Sequence, residues 1–217
     1  MTKPFPQLRL LDLRAFLPNG RWRALLPGLP PERQTRALAC RRQIDGARIA
    51  CAGFLLQQTL LSAGIPISDQ RFTKNEWGKP RLVSGAVEFS LSHAGNFCVC
   101  ALDASFVGVD VELPRISMAV AARCFHPDEV SFLQALPEDR QKDALLRLWT
   151  AKESYLKYLG RGLCIPLDFF CVRLDADGAF LQAPGAASDL RLHEYTHDGC
   201  RICLCAERPR PPLQIYP

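Results

Sequence analysis

Residues 108–112 read GVDVE, a short alternation of apolar and acidic side chains. Residues two apart in a β-strand face the same side, about 6.6 Å from one another, so the valines enter the core while Asp110 and Glu112 project together. Neighbouring carboxylates repel unless a cation or a shared proton relieves them, and a few carboxylates plus substrate phosphates are typical ligands of Mg²⁺. The segment predicts either a metal-binding strand or an edge strand with two solvated acids.

A predicted helix follows 40 residues later, where residues 148–163 read LWTAKESYLKYLGRGL. At 100° per residue one face carries an apolar stripe, made of Leu145, Leu148, Trp149, Leu156 and Leu159. Lys152 falls in the middle of this stripe, while Glu153 and Lys157 lie one turn apart along its edge. The alternatives are a snorkelling lysine and an exposed ion pair worth about 0.3–0.5 kcal/mol. A charge on an apolar face beside a carboxylate at its rim favours a helix that lines a cleft.

Two further segments present polar groups at predicted loops. Residues 88–95 read EFSLSHAG, which places Ser92 and His93 at the tip of a strand, where ligands are commonly bound. Because adjacent strand residues point in opposite directions, His93 is badly placed to activate Ser92, and phosphate binding is favoured over acyl transfer. The turn at residues 75–82, NEWGKPRL, presents Lys79 to a phosphate in the same way.

The order of elements along the chain predicts an α+β protein with two similar halves. Strands are expected near residues 8–13, 70–74, 88–92, 96–103, 106–112, 169–175, 191–195 and 201–206. Helices are expected near residues 31–42, 44–63, 117–124, 127–136 and 138–159. We predict an N-terminal half over residues 1–104, a C-terminal half over residues 105–208, and a Pro-rich tail over residues 209–217 that is extended or disordered.

The composition is that of an ordinary globular protein, with 217 residues, 48% apolar and 23% charged side chains. The net charge is +5, and it is unevenly spread, because residues 1–50 hold ten Arg and Lys against three Asp and Glu. A basic N-terminal lobe suggests an anionic partner, either a phosphate ligand, an acidic protein or nucleic acid; a solvated arginine-rich surface is the alternative.

The uncharged stretch at residues 49–68 is interrupted by polar residues and by Gly64 and Pro66, so we expect a buried core helix and no membrane span. The first ten residues lack the apolar core of a secretory signal, which predicts a cytoplasmic protein. Ten cysteines are then expected as free thiols. Cys200, Cys203 and Cys205 lack a second Cys-x-x-Cys or a suitably spaced histidine, so the spacing favours packing over a zinc site.

Taken together, these segments resemble the 4′-phosphopantetheinyl transferases of the surfactin-synthetase-activating type. The resemblance rests on WGKP at 77–80, SLSHAG at 90–95, GVDVE at 108–112, RCFHPDE at 123–129 and LWTAKESYLKYLGRGL at 148–163. Their order and spacing match over about residues 29–175. Departures from the family pattern are Cys124 for phenylalanine, Trp77 for tyrosine or phenylalanine, and arginines for lysines at 33 and 36, a change that keeps phosphate binding possible.

The resemblance implies two halves related by a pseudo-two-fold axis, with coenzyme A in the cleft between them. It also implies that a carrier-protein serine attacks the β-phosphate of coenzyme A, which transfers 4′-phosphopantetheine and releases 3′,5′-ADP. The metal ligands implied for Mg²⁺ are Asp110, Glu112 and Glu153. The implied coenzyme A contacts are Arg33, Arg36, Arg48, Lys79, Ser92, His93, Asp110 and Lys157. Glu129 matches a carboxylate near the metal, so the expected catalytic group is Glu153, Asp110, Lys157 and Glu129.

The implied partner is an apo acyl, peptidyl or aryl carrier protein of fatty-acid, polyketide or nonribosomal-peptide synthesis, with no nucleic acid and no membrane. The short holo-carrier synthases assemble their sites between subunits, whereas this chain is about twice as long, so an intramolecular site in a monomer is expected. The rival class is a coenzyme-binding or carrier-docking protein without activity, against which the intact set of three carboxylates argues.

Overall fold

The computed structural model describes residues 5–216, and its elements follow the predicted order. The helices are α1 Pro31–Leu38, α2 Gln43–Ser62, α3 Met118–Cys124, α4 Pro127–Ala135 and α5 Glu138–Leu159. The strands are β1 Gln7–Asp12, β2 Phe72–Lys74, β3 Pro80–Leu82, β4 Glu88–Ala94, β5 Phe97–Asp103, β6 Val107–Glu112, β7 Cys171–Asp175, β8 Gly178–Gln182, β9 Arg191–His197, β10 Cys200–Ala206 and β11 Leu213–Tyr216. Strands β3, β8 and β11 were not predicted, and α1 ends four residues earlier than expected.

Two halves repeat one topology, which confirms the predicted fold class. In the first half, β1 pairs antiparallel with β5, and β5 pairs antiparallel with β4, after the chain has passed through α2. In the second half, β6 pairs antiparallel with β10, and β10 pairs antiparallel with β9, after the chain has passed through α5. A strand, a long helix and a hairpin that returns to the strand therefore occur twice. The numerical boundary between residues 104 and 105 stays a prediction.

Alternating side chains on the strands build three apolar clusters. Cys98 and Cys100 face α2 in the first half, and Cys203 and Cys205 face α5 in the second. The opposite faces of the two sheets pack on each other through residues such as Leu10, Val99, Val109 and Leu204. Each half is thus a helix on a sheet, and the two sheets meet back to back. All ten cysteines are free thiols, and most of them are buried.

The Pro-rich tail was predicted to be extended or disordered, and its described residues are extended. Its strand β11 runs parallel to β1, with Leu8 opposite Leu213 and Leu11 opposite Tyr216. The end of the chain therefore completes the sheet of the first half. The uncharged segment at 49–68 lies mostly in α2, whose buried residues contact the first sheet. Within the described residues, no helix is both long and apolar enough to cross a bilayer.

Candidate active site

A cleft of about 1510 Å³ opens between the two halves, and residues of both halves line it. The first half contributes Ser92 and His93 of β4 and four basic side chains, namely Arg33 and Arg36 of α1, Arg71 just before β2 and Lys74 of β2. The second half contributes Asp110 and Glu112 of β6 and Trp149, Glu153 and Lys157 of α5. The cleft therefore has a cationic wall opposite a carboxylate cluster.

Close contact between β6 and α5 places the acidic cluster. Gly108 allows this contact, because a Cβ at that position would lie 2.0 Å from the Ser154 carbonyl oxygen and 2.3 Å from the Tyr158 nitrogen. Asp110, two residues further along β6, consequently faces α5, as the strand periodicity predicts. The seam between the halves is held by Ser90 Oγ, which accepts a hydrogen bond of 3.0 Å from the Val109 amide.

Asp110 is buried, and its two carboxylate oxygens have different surroundings. Oδ1 accepts hydrogen bonds from Ser92 Oγ at 2.7 Å and from Lys157 Nζ at 2.6 Å. Oδ2 is buried and has no hydrogen-bond partner within residues 5–216. Lys157 also donates to Ser92 Oγ, at 2.8 Å, so the three side chains are linked. A buried anionic oxygen without a partner is costly and favours the binding of a cation.

Glu112 and Glu153 add two further carboxyl groups to the cluster. Burial, and then the charge of Asp110, raise the pKa of Glu112 to about 7. The same two causes, in the same order, raise the pKa of Glu153, while Lys157 opposes the rise. Three carboxylates thus face one lysine, and a divalent cation would relieve their repulsion.

The donor set fits a hard divalent cation such as Mg²⁺, because it consists of oxygen ligands and includes the unpartnered Oδ2 of Asp110. Within the described chain, the possible ligand atoms of Asp110, Glu112 and Glu153 do not all lie within 4.8 Å of one another. A cation held by these residues would therefore take part of its coordination shell from water or substrate, as Mg²⁺ commonly does.

The cationic wall contains two residues that sequence reasoning missed. Arg33 and Arg36 were predicted, and burial followed by the charge of Arg36 lowers the pKa of Arg33. Arg71 and Lys74 join them because the β2–β3 hairpin folds towards α1, where Lys74 lies 3.8 Å from Glu32. No local motif marks these two positions, since only the path of the hairpin brings them to the cleft.

His93 lines the cleft close to the linked group of Ser92 and Lys157. Its partial desolvation, with the charges of Arg48 and Lys157, lowers its pKa, so the imidazole is neutral at pH 7. A neutral imidazole can donate one hydrogen bond to a phosphate without adding charge. Trp149, a third residue that was not predicted as a site residue, donates from Nε1 to Glu112 Oε1 at 3.3 Å.

Two of the cations expected to hold coenzyme A bind backbone carbonyls and are absent from the lining of this cleft. The Arg48 guanidinium donates twice to the Gly95 carbonyl, at 3.0 and 2.8 Å, and pairs with Asp45. Lys79 Nζ donates to the carbonyl oxygens of Val107 and Lys157, at 3.0 and 2.7 Å, and burial lowers the pKa of Lys79 to about 8. Both side chains therefore stabilise the backbone next to the cleft through these carbonyl groups.

Glu129 is likewise not brought to the cleft. Its Oε1 accepts from Lys152 Nζ at 2.6 Å and from the Val172 amide at 2.6 Å, and its Oε2 accepts from the His126 amide at 3.0 Å. The side chains of Glu129 and Lys152 are both fully buried. Lys152, predicted on the apolar face of α5, is therefore a core cation with a buried counter-ion, and neither snorkels nor lines the cleft.

A second group of possible metal ligands consists of His126, Asp128 and Cys171, whose ligand atoms lie within 4.8 Å of one another. His126 Nδ1 already accepts a hydrogen bond from the Asp128 amide and caps α4. The positive end of the helix dipole and the nearby Lys152 ammonium both oppose a cation there. The carboxylate cluster of the cleft is thus the better candidate metal site.

Comparison with known proteins places the sequence among enzymes of one kind. The profile of the 4′-phosphopantetheinyl transferase superfamily matches residues 106–205. The 4′-phosphopantetheinyl transferase Sfp of Bacillus subtilis strain 168 is 34% identical over 195 residues, which are 86% of each chain. The 4′-phosphopantetheinyl transferase HetI of Nostoc sp. is 29% identical over 195 residues, 86% of this chain and 78% of the relative. Among solved structures, the holo-[acyl-carrier-protein] synthase of Thermotoga maritima matches 46% of this chain and 60% of its own, with 22% identity and a TM-score of 0.38.

Proposed function

The chain belongs to the 4′-phosphopantetheinyl transferase superfamily, and from this premise we propose that it uses a divalent cation, Mg²⁺, to transfer 4′-phosphopantetheine from coenzyme A to a carrier-protein serine. The serine oxygen forms a bond to the β-phosphorus, the bond from that phosphorus to the bridging oxygen breaks, and 3′,5′-ADP leaves. The observation that carries the proposal is the unpartnered, buried Oδ2 of Asp110 within a cluster of three carboxylates, opposite a wall of arginines.

The cationic wall would hold the phosphates of coenzyme A. Arg33 and Arg36 present guanidinium groups, which bind phosphate oxygens in pairs, and Arg71 and Lys74 extend the positive surface across the cleft. His93 adds a neutral hydrogen-bond donor to the cleft, whereas the one hydroxyl proton of Ser92 is already donated to Asp110 Oδ1, so Ser92 would act by holding Asp110 and Lys157 in place. The N-terminal half, residues 1–104, would thus bind the 3′-phosphate and adenine side, and residues 105–208 would supply the metal ligands and the catalytic helix.

The C-terminal half would carry the chemistry. A cation held by Asp110, Glu112 and Glu153 would supply charge neutralisation at the pyrophosphate as its bond breaks. Lys157, already bonded to Asp110 and Ser92, provides a fixed positive charge beside the same group. Glu153 lines the cleft with Asp110 and Lys157, and we assign it as the acceptor of the proton of the attacking serine. We do not assign this role to Glu129, because both of its oxygens accept hydrogen bonds in the core.

The partner in this proposal is an apo acyl, peptidyl or aryl carrier protein, and no nucleic acid takes part. Because both walls of the cleft come from one chain, a monomer suffices for the site, in contrast to an enzyme that assembles its site between subunits. The ten free thiols suit a reducing compartment, which supports a cytoplasmic location.

Incubation with coenzyme A, Mg²⁺ and a panel of apo carriers tests the proposal, with the intact mass of each carrier as the readout. The wild-type protein should add one phosphopantetheinyl group per carrier. Asp110→Asn keeps the shape of the side chain but removes its charge, so it should retain the fold by circular dichroism and lose most turnover. Asp143→Asn, which changes a half-exposed acid of α5 paired with Arg201, is the matched control and should remain active.

Near-normal turnover of Asp110→Asn at low Mg²⁺ would remove Asp110 from the metal site. Binding of coenzyme A without modification of any carrier in the panel would favour the rival class, a coenzyme-binding protein without transferase activity.

A further inference from the structure

The indole of Trp149 is the one side-chain donor that the described residues offer to the Glu112 carboxylate. Its Nε1 lies 3.3 Å from Oε1, and both residues line the cleft. Glu112 has three rotatable side-chain bonds and stands beside the like charge of Asp110, so an unrestrained carboxylate would turn away from its neighbour. We infer that Trp149 is a positioning residue that holds Glu112 in the orientation needed to bind the divalent cation, an inference that rests on the proposed function.

Stacking fixes the plane of this indole. The ring of Phe125 lies under Trp149 at a centroid distance of 6.2 Å and an interplanar angle of 19°. Phe125 is 4% exposed and lies between α3 and the N-cap residue of α4, so it belongs to the core and not to the cleft surface. The indole N–H is therefore aimed at Glu112 by a buried partner.

Phe125 is in turn held by the buried ion pair of Glu129 and Lys152. Lys152 Nζ lies 5.4 Å from the centre of the Phe125 ring and 2.6 Å from Glu129 Oε1. Glu129 Oε2 accepts from the amide of His126, the next residue after Phe125, at 3.0 Å. The ion pair thus fixes both the ring and the backbone beside it. Contacts therefore run without a break from Glu129 through Lys152, Phe125 and Trp149 to Glu112. Glu129 is connected to the cleft in this way although it does not line it.

The hydrogen bond should matter more for metal affinity than for the stability of the fold. A donor that orients a ligating carboxylate typically contributes a factor of 10 to 100 in metal affinity. Trp149→Phe keeps an aromatic ring over Phe125 and removes only the N–H group and part of the ring. Its loss should therefore appear as weaker binding of the cation, while kcat at saturating cation is largely retained.

Mn²⁺ binding, measured by electron paramagnetic resonance without coenzyme A, tests this inference in five proteins, which are the wild type, three single variants and one double variant. Trp149→Phe should raise the Kd for Mn²⁺ about 10- to 100-fold, and Trp77→Phe, the same change at a position outside the carboxylate cluster, should leave it unchanged. Trp149→Phe added to Glu112→Gln should cause no further loss, because the group that the indole orients is already altered. An unchanged Kd in Trp149→Phe overturns the inference, and so does an equal loss in both backgrounds, which would mean that Trp149 acts through packing alone.

A measurement on the unsubstituted protein covers the case in which Trp149→Phe fails to fold. The indole N–H resonances of the three tryptophans are resolved by ¹⁵N labelling, and a Mg²⁺ titration should shift that of Trp149 and leave that of Trp22, in the first core, in place. An unmoved Trp149 resonance in a protein that binds Mg²⁺ overturns the inference while the proposed function stands. Failure of the wild-type protein to bind either cation overturns the proposed metal site itself.

Discussion

Replacement of Glu112 by glutamine should stabilise the folded protein when no divalent cation is present. The folded state raises the pKa of Glu112 from its ordinary value of 4.5 to about 7, so it binds this proton more tightly than the unfolded chain does. The resulting contribution to stability is fully present below pH 4.5 and is lost as the pH rises through 7. Above that pH the wild-type protein holds a third negative charge in the cleft, whereas Glu112→Gln does not.

The size of the effect follows from the pKa shift. A shift from 4.5 to about 7 corresponds to about 3 kcal/mol for a fully buried group, at roughly 1.4 kcal/mol per factor of ten in acidity. Because Glu112 lies partly open to the solvent of the cleft, screening reduces the expected gain to about 1–2 kcal/mol. In a chain of this length, that gain raises the Tm by a few degrees.

Chemical and thermal unfolding in EDTA, at intervals from pH 4.5 to pH 8, measures the difference. Glu112→Gln should exceed the wild type most at pH 8, and the gap should close towards pH 4.5. Glu76→Gln, at an exposed position in a turn, is the control and should show no such gap. Added Mg²⁺ should reverse the order, because it stabilises the wild type by binding and Glu112→Gln less so. A wild type as stable as Glu112→Gln at pH 8 in EDTA would refute the idea that the carboxylates are under mutual repulsion.

Three further outcomes are expected. Joint replacement of Arg33 and Arg36 by glutamine should weaken coenzyme A binding, measured by calorimetry, about 10- to 100-fold, because a hydrogen bond to a charged group contributes about 1.5–3 kcal/mol. Binding of dephospho-coenzyme A should weaken less, and equal losses for both ligands would mean that the two arginines are only surface charge. Arg48→Gln is the control and should affect both ligands equally, because the Arg48 guanidinium binds a backbone carbonyl. Glu153→Gln should lose far more kcat than coenzyme A affinity, and excess Mg²⁺ should not restore kcat if Glu153 is also the base. Glu129→Gln should instead lower the free energy of unfolding by about 3–5 kcal/mol, because it leaves the buried ammonium of Lys152 unpaired. The opposite pattern would exchange the roles of the two glutamates. The KM for the carrier should rise with salt in steady-state assays, because exposed charges are screened over about 8 Å at physiological ionic strength; a flat response would indicate an apolar docking surface.

Much of the fold could be predicted because its long elements carry uninterrupted local patterns. Helix α5 begins and ends at the predicted residues, since Pro137 precedes it and Gly160, with a φ of 68°, ends it in a conformation that favours glycine. Strand β11 could not be predicted in this way. It is four residues long, it follows a Pro-rich segment, and its partner β1 lies at the other end of the chain.

The candidate site likewise combines features that follow from local sequence with features that depend on the tertiary structure. Sequence periodicity by itself determined that Asp110 and Glu112 share one face of a strand and that Glu153 and Lys157 share one edge of a helix, because these relations span at most four residues and depend on backbone geometry alone. Only the tertiary structure decided which other charges reach the cleft. Arg48 binds the Gly95 carbonyl and Glu129 binds the buried ammonium of Lys152, so neither side chain lines the cleft. The physical reason is that buried polar groups require hydrogen-bond partners, and only the folded chain determines which partners are near.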